Sequence, residues 1–426
     1  MNVVLIGSGG RENAMAYKIS QSKLLTKLFL VPGNPGTEAF GENVSLNIND
    51  DQAVVDFCIS NAIELVVIGP EVPLVNGLAD ILRRHEINVF GPGKDAAMIE
   101  GDKAFAKKLM LKYNIPTAGF EIFTKSEYPK AVEHISFIKY PAVIKASGLA
   151  AGKGVLICQS FQEAKDALSE CFEDALFGEA GETIVIEEFM TGQEASIFAV
   201  TDGKNFICLP SAQDHKRIGD NDTGKNTGGM GAYAPAPIVT HEILNEIEVN
   251  IIRPTLDALN GEGRKFNGCL YCGIMLTPNG PKVVEFNCRF GDPETQSVLP
   301  LLEGDFLQLL SSAAKGDVDK TSVSYNGGAA VCVVAASEGY PDKYEKGFEI
   351  SGLDDVHDEA IVFHAGTKKI DGKIVTDGGR VLGVTAVTSE NNLQLCKEKA
   401  YKALRKIYFD NIYYRTDIAD KGFKKS

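Results

Sequence analysis

In the run from Glu285 to Thr295, EFNCRFGDPET, the residues Glu285, Asn287 and Arg289 occupy alternate positions of an extended stretch. Side chains of a strand alternate between faces, so these three share one side while Phe286 and Cys288 take the other. Two oxygen donors converging from one strand suit magnesium, which completes its shell with water and phosphate oxygens. Arg289 adds a forked guanidinium shaped to meet a carboxylate or a transferring phosphoryl group. The bland alternative, a solvated edge strand, leaves this charged face without a purpose.

Four further stretches could bind anions or nucleotides. Lys145 opens a strand, glycine turn, strand pattern, KASGLAAGKGV. A loop of this kind folds over a polyphosphate, its N–H groups and Lys153 meeting the charge, with Lys103 upstream as a second cation. The spacing is not that of a Walker A loop. Glu187-EFMTGQE follows a strand with a turn whose backbone could face a purine edge, with Glu194 as acceptor for ribose hydroxyls; an ordinary acidic turn is the alternative. The stretch from Asp214 to Tyr233, DHKRIGDNDTGKNTGGMGAY, reads as a long polar binding loop and not as a core element. Its DHKR cluster concentrates positive charge within an acidic chain, as a negatively charged substrate would need. Gly7-SGGRE follows an apolar strand, where glycines let N–H groups approach an anion at a helix N-terminus and Arg11 could assist. Here Glu12 stands where a dinucleotide fingerprint has its third glycine, which argues against a nicotinamide cofactor and leaves a plain tight turn as the rival.

These residues need a scaffold of several domains, since 426 residues exceed one ordinary core. Val3–Ile6, Lys27–Val31, Leu65–Ile68 and Asn88–Phe90 read as short buried strands. Helices are expected at Asn13–Leu28, Gln52–Asn61 and Leu78–Arg84. That alternation predicts an α/β, doubly wound parallel sheet over residues 1–102, with three strands ending in glycine- or proline-rich turns that face one crevice. A central unit, 103–325, begins with a helix at Asp102–Tyr113 and carries a small β-rich lid at about 118–190. Helices are also expected at Phe161–Leu176, His241–Leu259 and Leu299–Lys315. The rest, 326–426, reads as a mixed α/β domain.

A net charge of −14 and a pI near 5.0 give the surface the wrong sign for nucleic acid or anionic membrane. No stretch approaches the ~20 apolar residues of a membrane span, and Val3–Ile6 lacks the flanks of a signal peptide. Nine dispersed cysteines suggest reduced packing residues in a cytoplasmic protein. Cys269 and Cys272, three apart on a strand, should face opposite sides and make a poor metal pair.

In order, GSGGREN from Gly7, PGNPGT from Pro32, GPEVPLVNG from Gly69, GDKAFAK from Gly101, IKASGLAAGKGV from Ile144, IEEFMTGQEAS from Ile186, the whole stretch from Gln213 to Pro237 and VEFNCRFGDPETQ from Val284 resemble the phosphoribosylamine–glycine ligases, or glycinamide ribonucleotide synthetases. The likeness extends to TDGGRVLGVTA from Thr376 and NIYYRTDI from Asn411. It implies an ATP-grasp core in the central unit, and an ATP-dependent ligase that joins glycine to 5-phospho-β-D-ribosylamine in purine synthesis. By that resemblance Lys103, Lys145, Gly152, Lys153 and Gly154 hold ATP phosphates, Glu187, Glu188 and Phe189 contact adenine, and Glu194 takes the ribose. Glu285 and Asn287 carry Mg²⁺ or Mn²⁺. Gly10, Arg11, Asn34, Gly36, Pro70 and Glu71 line the phosphoribosylamine side. Asp214, Lys216, Arg217, Gly229, Arg289, Asp292 and Glu294 surround glycine and the reaction centre. The resemblance implies a monomer with small-molecule substrates, and leaves open a transient contact with the enzyme that makes phosphoribosylamine. One departure is plain: the family's usual GGREHA is GGRENA here, with Asn13 for the histidine. A related ATP-grasp carboxylase or transformylase is the nearest rival, against which the DHKR loop and PGNPG speak. A non-catalytic nucleotide sensor would not need metal pair, arginine and anion loop together.

Overall fold

A computed structural model describes residues 1–150, 154–173, 178–356 and 359–423; Gly152 and Lys153 of the expected phosphate loop lie outside them. The first hundred residues form a five-stranded parallel sheet in the order Glu42–Asn43, Lys27–Pro32, Asn2–Gly7, Leu65–Ile68, Asn88–Phe90. The inner strands are continuously apolar over Val3–Ile6, Leu28–Val31 and Leu65–Ile68 because helices cover both faces of the sheet. The first helix runs only from Gly10 to Ile19, shorter than the apolar pattern to Leu28 suggests. Leu28 belongs instead to the second strand, paired with Val3.

The region expected as the lid holds an antiparallel sheet in the order Phe120–Thr124, Thr183–Glu188, Ala142–Ala146, Val155–Cys158. Helices Tyr128–Ile135 and Phe161–Phe172 close over one face, burying Ile144, Leu168, Phe172 and Ile186 together. Helix Lys103–Lys112 leads into this unit. Asp102 caps it, accepting from Phe105 N at 3.1 Å and from the Ser147 hydroxyl at 2.6 Å, so one carboxylate fixes the helix start to the end of a lid strand.

The central sheet is antiparallel, ordered Phe206–Cys208, Gln193–Thr201, Gly268–Thr277, Gly280–Asn287. Cys269 and Cys272 enter separate apolar clusters on its two faces, as their spacing requires. The interrupted helix His241–Gly261 packs beneath. The region Leu299–Lys315 is not one helix: Leu302–Gly304 is a short strand paired with Val323–Tyr325, and the helix begins at Phe306, capped by Asp305.

The expected binding loop also departs from expectation. Arg217–Gly219 and Thr223–Asn226 form a hairpin. Gln213–Asp214 and Gly231–Ala234 are strands of the C-terminal sheet, in the order Gln213–Asp214, Gly231–Ala234, Ala329–Ser337, Arg380–Thr388, Ile361–His364. Ala232, Tyr233 and Ala234 are fully buried there. The loop is thus anchored at both ends in a core its polar composition conceals. Helix Leu393–Leu404 covers this sheet. Among the described residues no helix is long and apolar enough to cross a membrane.

Candidate active site

A cavity of about 1140 Å³ opens where the lid, the central sheet, the N-terminal sheet and the C-terminal sheet meet. At its lid end, strand Ala142–Ala146 carries Lys145 inward. Lys145 Nζ lies 3.0 Å from Glu187 Oε1 and donates to the Val284 carbonyl at 3.0 Å. Lys107, one helical turn after Lys103, reaches the same Glu187 oxygen at 3.2 Å. Burial pushes the Lys107 ammonium down to about 8, although Glu187 opposes the fall. Burial lowers Lys103 also, with Glu285 opposing. Glu187 therefore offers its carboxylate to two lysines and only its backbone to any ligand. Glu188 accepts from Gly119 N at 2.9 Å, the contact that most strongly holds its carboxyl below the usual range. Phe189 is 39% exposed and lies on the cavity wall.

At the other end the strand Gly280–Asn287 presents Glu285 and Asn287, and Arg289 continues the same face. Arg289 is held from two sides, Nη2 at 2.9 Å from Glu100 and Nε at 3.5 Å from Glu71, and Nη2 donates to Asn287 Oδ1 at 3.3 Å. Burial pushes the Glu285 carboxyl up, but Lys216, Lys145, Lys103 and Arg289 outweigh it and leave it below the ordinary range. Lys216 is 2.6 Å from Glu194 and 4.0 Å from Glu285, so it bridges these two carboxylates. Burial raises the Asp214 carboxyl to about 7, with Glu294 and Glu194 adding to the rise and Lys216 opposing it. Glu294 Oε1 accepts from the Ser196 and Tyr271 hydroxyls at 2.9 Å each. Asp292 pairs with Arg380 at 3.2 Å and accepts from Gln296 at 2.8 Å.

Most of the expected residues meet in this one cavity: Arg11, Glu71, Lys103, Lys145, Gly154, Glu187, Glu188, Phe189, Glu194, Asp214, Lys216, Arg217, Glu285, Asn287, Arg289, Asp292 and Glu294 all line it. Gly10, Asn34, Gly36, Pro70 and Gly229 do not. The turn after the first strand shows why. Glu12, not a ligand, fills it: Glu12 Oε2 accepts from Gly9 N at 2.7 Å, and a Cβ on Gly7 or Gly69 would stand 2.4 Å or 2.2 Å from Glu12 atoms. Arg11 pairs with Glu12 at 2.6 Å and donates to the Phe290 carbonyl at 3.0 Å. Asn34 caps its own turn through Gly36 N and Thr37 N and donates to the carbonyls of Ser8 and His364. A Cβ on Gly36 would meet the His364 ring at 2.6 Å. These residues build the seam between the N-terminal and C-terminal units.

Sequence reasoning missed Lys107, Glu100, Tyr271, Arg380 and Lys421. The one available signal was Lys107 at i+4 from Lys103, which places both on one helix face. Arg380 lies in the run TDGGRVLGVTA but no local pattern assigns it a role, and nothing local marks Lys421; both arrive from the far end of the chain.

Family models for phosphoribosylglycinamide synthetase match the chain in three pieces: the N domain over residues 1–100, the ATP-grasp (A) domain over 101–295 and the C domain over 330–421. The chain belongs to this family. The phosphoribosylamine–glycine ligase of Caldanaerobacter subterraneus is 46% identical over 419 residues, covering 98% of this chain and 99% of that protein. That of Rhizobium meliloti is 48% identical over 418 residues, 98% of each. The crystal structure of the phosphoribosylamine–glycine ligase from Thermotoga maritima superposes with a TM-score of 0.85 at 36% identity, over 98% of this chain and 100% of that one. The fold also matches the biotin carboxylase domain of Hydrogenobacter thermophilus 2-oxoglutarate carboxylase, solved with MgADP, with a TM-score of 0.73 at 15% identity. The ATP-grasp fold brings with it the use of ATP and a divalent metal. Among the described residues there is no cluster of three or more His, Cys, Asp or Glu side chains able to cage a metal. Glu285 and Asn287 fit the other arrangement, two oxygens from the protein and the remainder from phosphate and water.

Asn13, the departure from the family's usual histidine, is wholly buried, and its Oδ1 accepts from His364 N at 2.7 Å. It faces the seam and not the cavity. Restoring histidine (N13H) is expected to change turnover by less than about tenfold; a larger gain in steady-state rate would show that the position moves protons.

Proposed function

We propose that the protein joins glycine to 5-phospho-β-D-ribosylamine, using ATP, to give N1-(5-phospho-β-D-ribosyl)glycinamide, ADP and phosphate. The observation that carries this reading is the single cavity in which Glu285, Asn287 and Arg289 stand between two lysine-rich ends. Lys103 and Lys145 are on the lid side, and Asp214 and Lys216 are on the loop side. Lys103, Lys145 and the Gly152–Gly154 loop take the ATP phosphates, the backbone of Glu187 to Phe189 the adenine, and Glu194 the ribose. Asp214, Lys216, Arg217, Asp292 and Glu294 surround glycine. Arg11 and Glu71 meet phosphoribosylamine, while Gly10, Asn34, Gly36, Pro70 and Gly229 act through the wall they build.

A carboxylate resists an amine because oxide is a poor leaving group. A glycine carboxylate oxygen attacks the γ-phosphorus while its bond to the β-bridging oxygen breaks, giving glycyl phosphate and ADP. The ribosylamine nitrogen then attacks the carbonyl carbon, loses a proton, and phosphate departs with the oxygen that came from glycine. Arg289, Lys145 and Lys103 meet the charge that develops on the phosphoryl oxygens. A magnesium or manganese ion held by Glu285 and Asn287 adds charge compensation there when bound. The lid excludes water from the acyl phosphate. Glycine labelled with ¹⁸O in its carboxylate is expected to deliver one labelled oxygen to inorganic phosphate. Unlabelled phosphate, or a phosphorylated protein trapped with ATP and glycine, would contradict the route.

Asp214 supplies a pH signature. With its carboxyl near 7, it is neutral below that pH and anionic above it. The anion is the form that accepts glycine's ammonium, so kcat/KM for glycine is expected to rise with pH through an inflection near 7 and level off above. D214N should lower kcat/KM and abolish that inflection; a profile unchanged in shape would remove Asp214 from the glycine site. Nine unpaired cysteines, all but Cys208 buried, support placement in the reducing cytoplasm. We take the working unit to be a monomer, since one chain supplies every wall of the cavity; transient contact with the enzyme that supplies phosphoribosylamine is compatible with this.

A further inference from the structure

The segment Ile412–Lys421 has no part in the chemistry above, yet Arg415 within it is almost wholly buried, at 1% exposure. Its guanidinium donates four hydrogen bonds. Nε and Nη2 donate to the two carboxylate oxygens of Asp417 at 2.7 Å each, and Nη1 donates to the Arg217 carbonyl and to Asp222 Oδ1, both at 3.0 Å. The backbone joins in: Thr416 N donates to Asp220 Oδ1 at 2.8 Å, and Asn221 N donates to Asp417 Oδ2 at 2.8 Å. The Tyr413 hydroxyl donates to the Ile218 carbonyl at 2.9 Å, and Lys421 Nζ stands 2.9 Å from Asp222 Oδ2.

Asp417 apart, these partners of the tail segment all lie in the hairpin Arg217–Asn226. Its turn places Asn221 and Asp222 at φ of +56° and +55°, left-handed backbone that asparagine and aspartate tolerate. The contacts from 412–421 fix this hairpin against the rest of the molecule. Arg217 and Asp222 line the cavity directly, Lys216 adjoins the hairpin, and Lys421 reaches the cavity from the tail itself.

We propose that Arg415, acting through Asp222 and the Arg217 carbonyl, is a positioning residue that holds the 214–227 segment against the glycine end of the cavity. Glycine affinity then depends on the docked tail far more than nucleotide affinity does. Among the described residues the Lys216–Glu194 pair is the one link from this segment to the proposed nucleotide contacts, and the others come from the lid and central sheet. This rests on the reading that Asp214 and Lys216 receive glycine.

The test compares wild type, R415Q and D220A by steady-state kinetics in each substrate, with hydrogen exchange over residues 217–226. D220A removes the Thr416 contacts but leaves Arg415 with Asp222 and Asp417, so it decides alone if R415Q does not fold. The glycine KM is expected to rise about tenfold in R415Q and at least about threefold in D220A, the range of coupling between contacting residues. The ATP KM should stay within about twofold and exchange in the hairpin should accelerate. A glycine KM within about twofold of wild type in the folded variants, or an ATP KM that rises in parallel, overturns the proposal. If wild type itself shows no glycine-dependent turnover, the functional reading has failed instead, and unaltered hairpin exchange in the variants would then overturn the positioning role as well.

Discussion

Replacing Arg289 by lysine (R289K) is expected to lower kcat/KM by about 10²–10³, the usual loss when one preorganised donor to developing charge is removed. The guanidinium spans Glu100 and Glu71 while turning its remaining edge to Asn287 and the cavity. A lysine ammonium is a single point and cannot hold both carboxylates and face a phosphoryl group at once. Retaining the positive charge also matters for interpretation. Deleting it would leave two carboxylates facing each other in a closed space, and the lost activity could then be lost folding. The measurement is kcat and KM for each substrate together with the melting temperature. A fall confined to kcat at near-constant melting temperature is the expected result; a loss below about tenfold would show that Arg289 only braces the wall.

Glu285→Gln (E285Q) should have a comparable effect, a fall of about 10²–10³ in kcat/KM, for a different reason. Glutamine keeps the shape and one carbonyl oxygen but removes the negative charge that Lys216, Lys145, Lys103 and Arg289 together stabilise. The divalent-ion concentration needed for half-maximal activity should therefore rise. Without metal the sign reverses, because a carboxylate beside a triphosphate repels it. Metal-free ATP is expected to bind E285Q at least as tightly as wild type by calorimetry. An unchanged metal requirement would show that the ion is held elsewhere.

Much of this site is legible in the sequence because strand alternation is a strict rule. Glu285, Asn287 and Arg289 share a face for the same reason that Phe286 and Cys288 share the core. Lys145 stands out because a lysine within an apolar strand needs a partner, and it has Glu187. The stretch from Asp214 to Tyr233 misleads for the opposite reason. Its glycines, asparagines and aspartates favour turns locally, while pairing of Gly231–Ala234 with Ala329–Ser337 overrides that preference and buries Tyr233. The turn at Gly7 misleads too: its glycines make room for Glu12, a neighbour in sequence whose side chain folds back over the helix start. Helix ends at Ile19 and Phe306 depend on where neighbouring strands begin, which local periodicity does not record. Arg380 and Lys421 are brought to the site, and Arg415 to the hairpin beside it, by C-terminal packing; the runs TDGGRVLGVTA and NIYYRTDI mark Arg380 and Arg415 only by resemblance, with no local pattern that assigns them a role.

The most direct test of the central claim is ADP release from Mg-ATP with freshly generated phosphoribosylamine, measured with and without glycine. Strictly glycine-dependent ADP formation, matched mole for mole by glycinamide ribonucleotide, is the predicted result. ATP that binds but is not turned over in a glycine-dependent way would contradict it, and the assignment of Asp214 and Lys216 to the glycine site would be the first to fall.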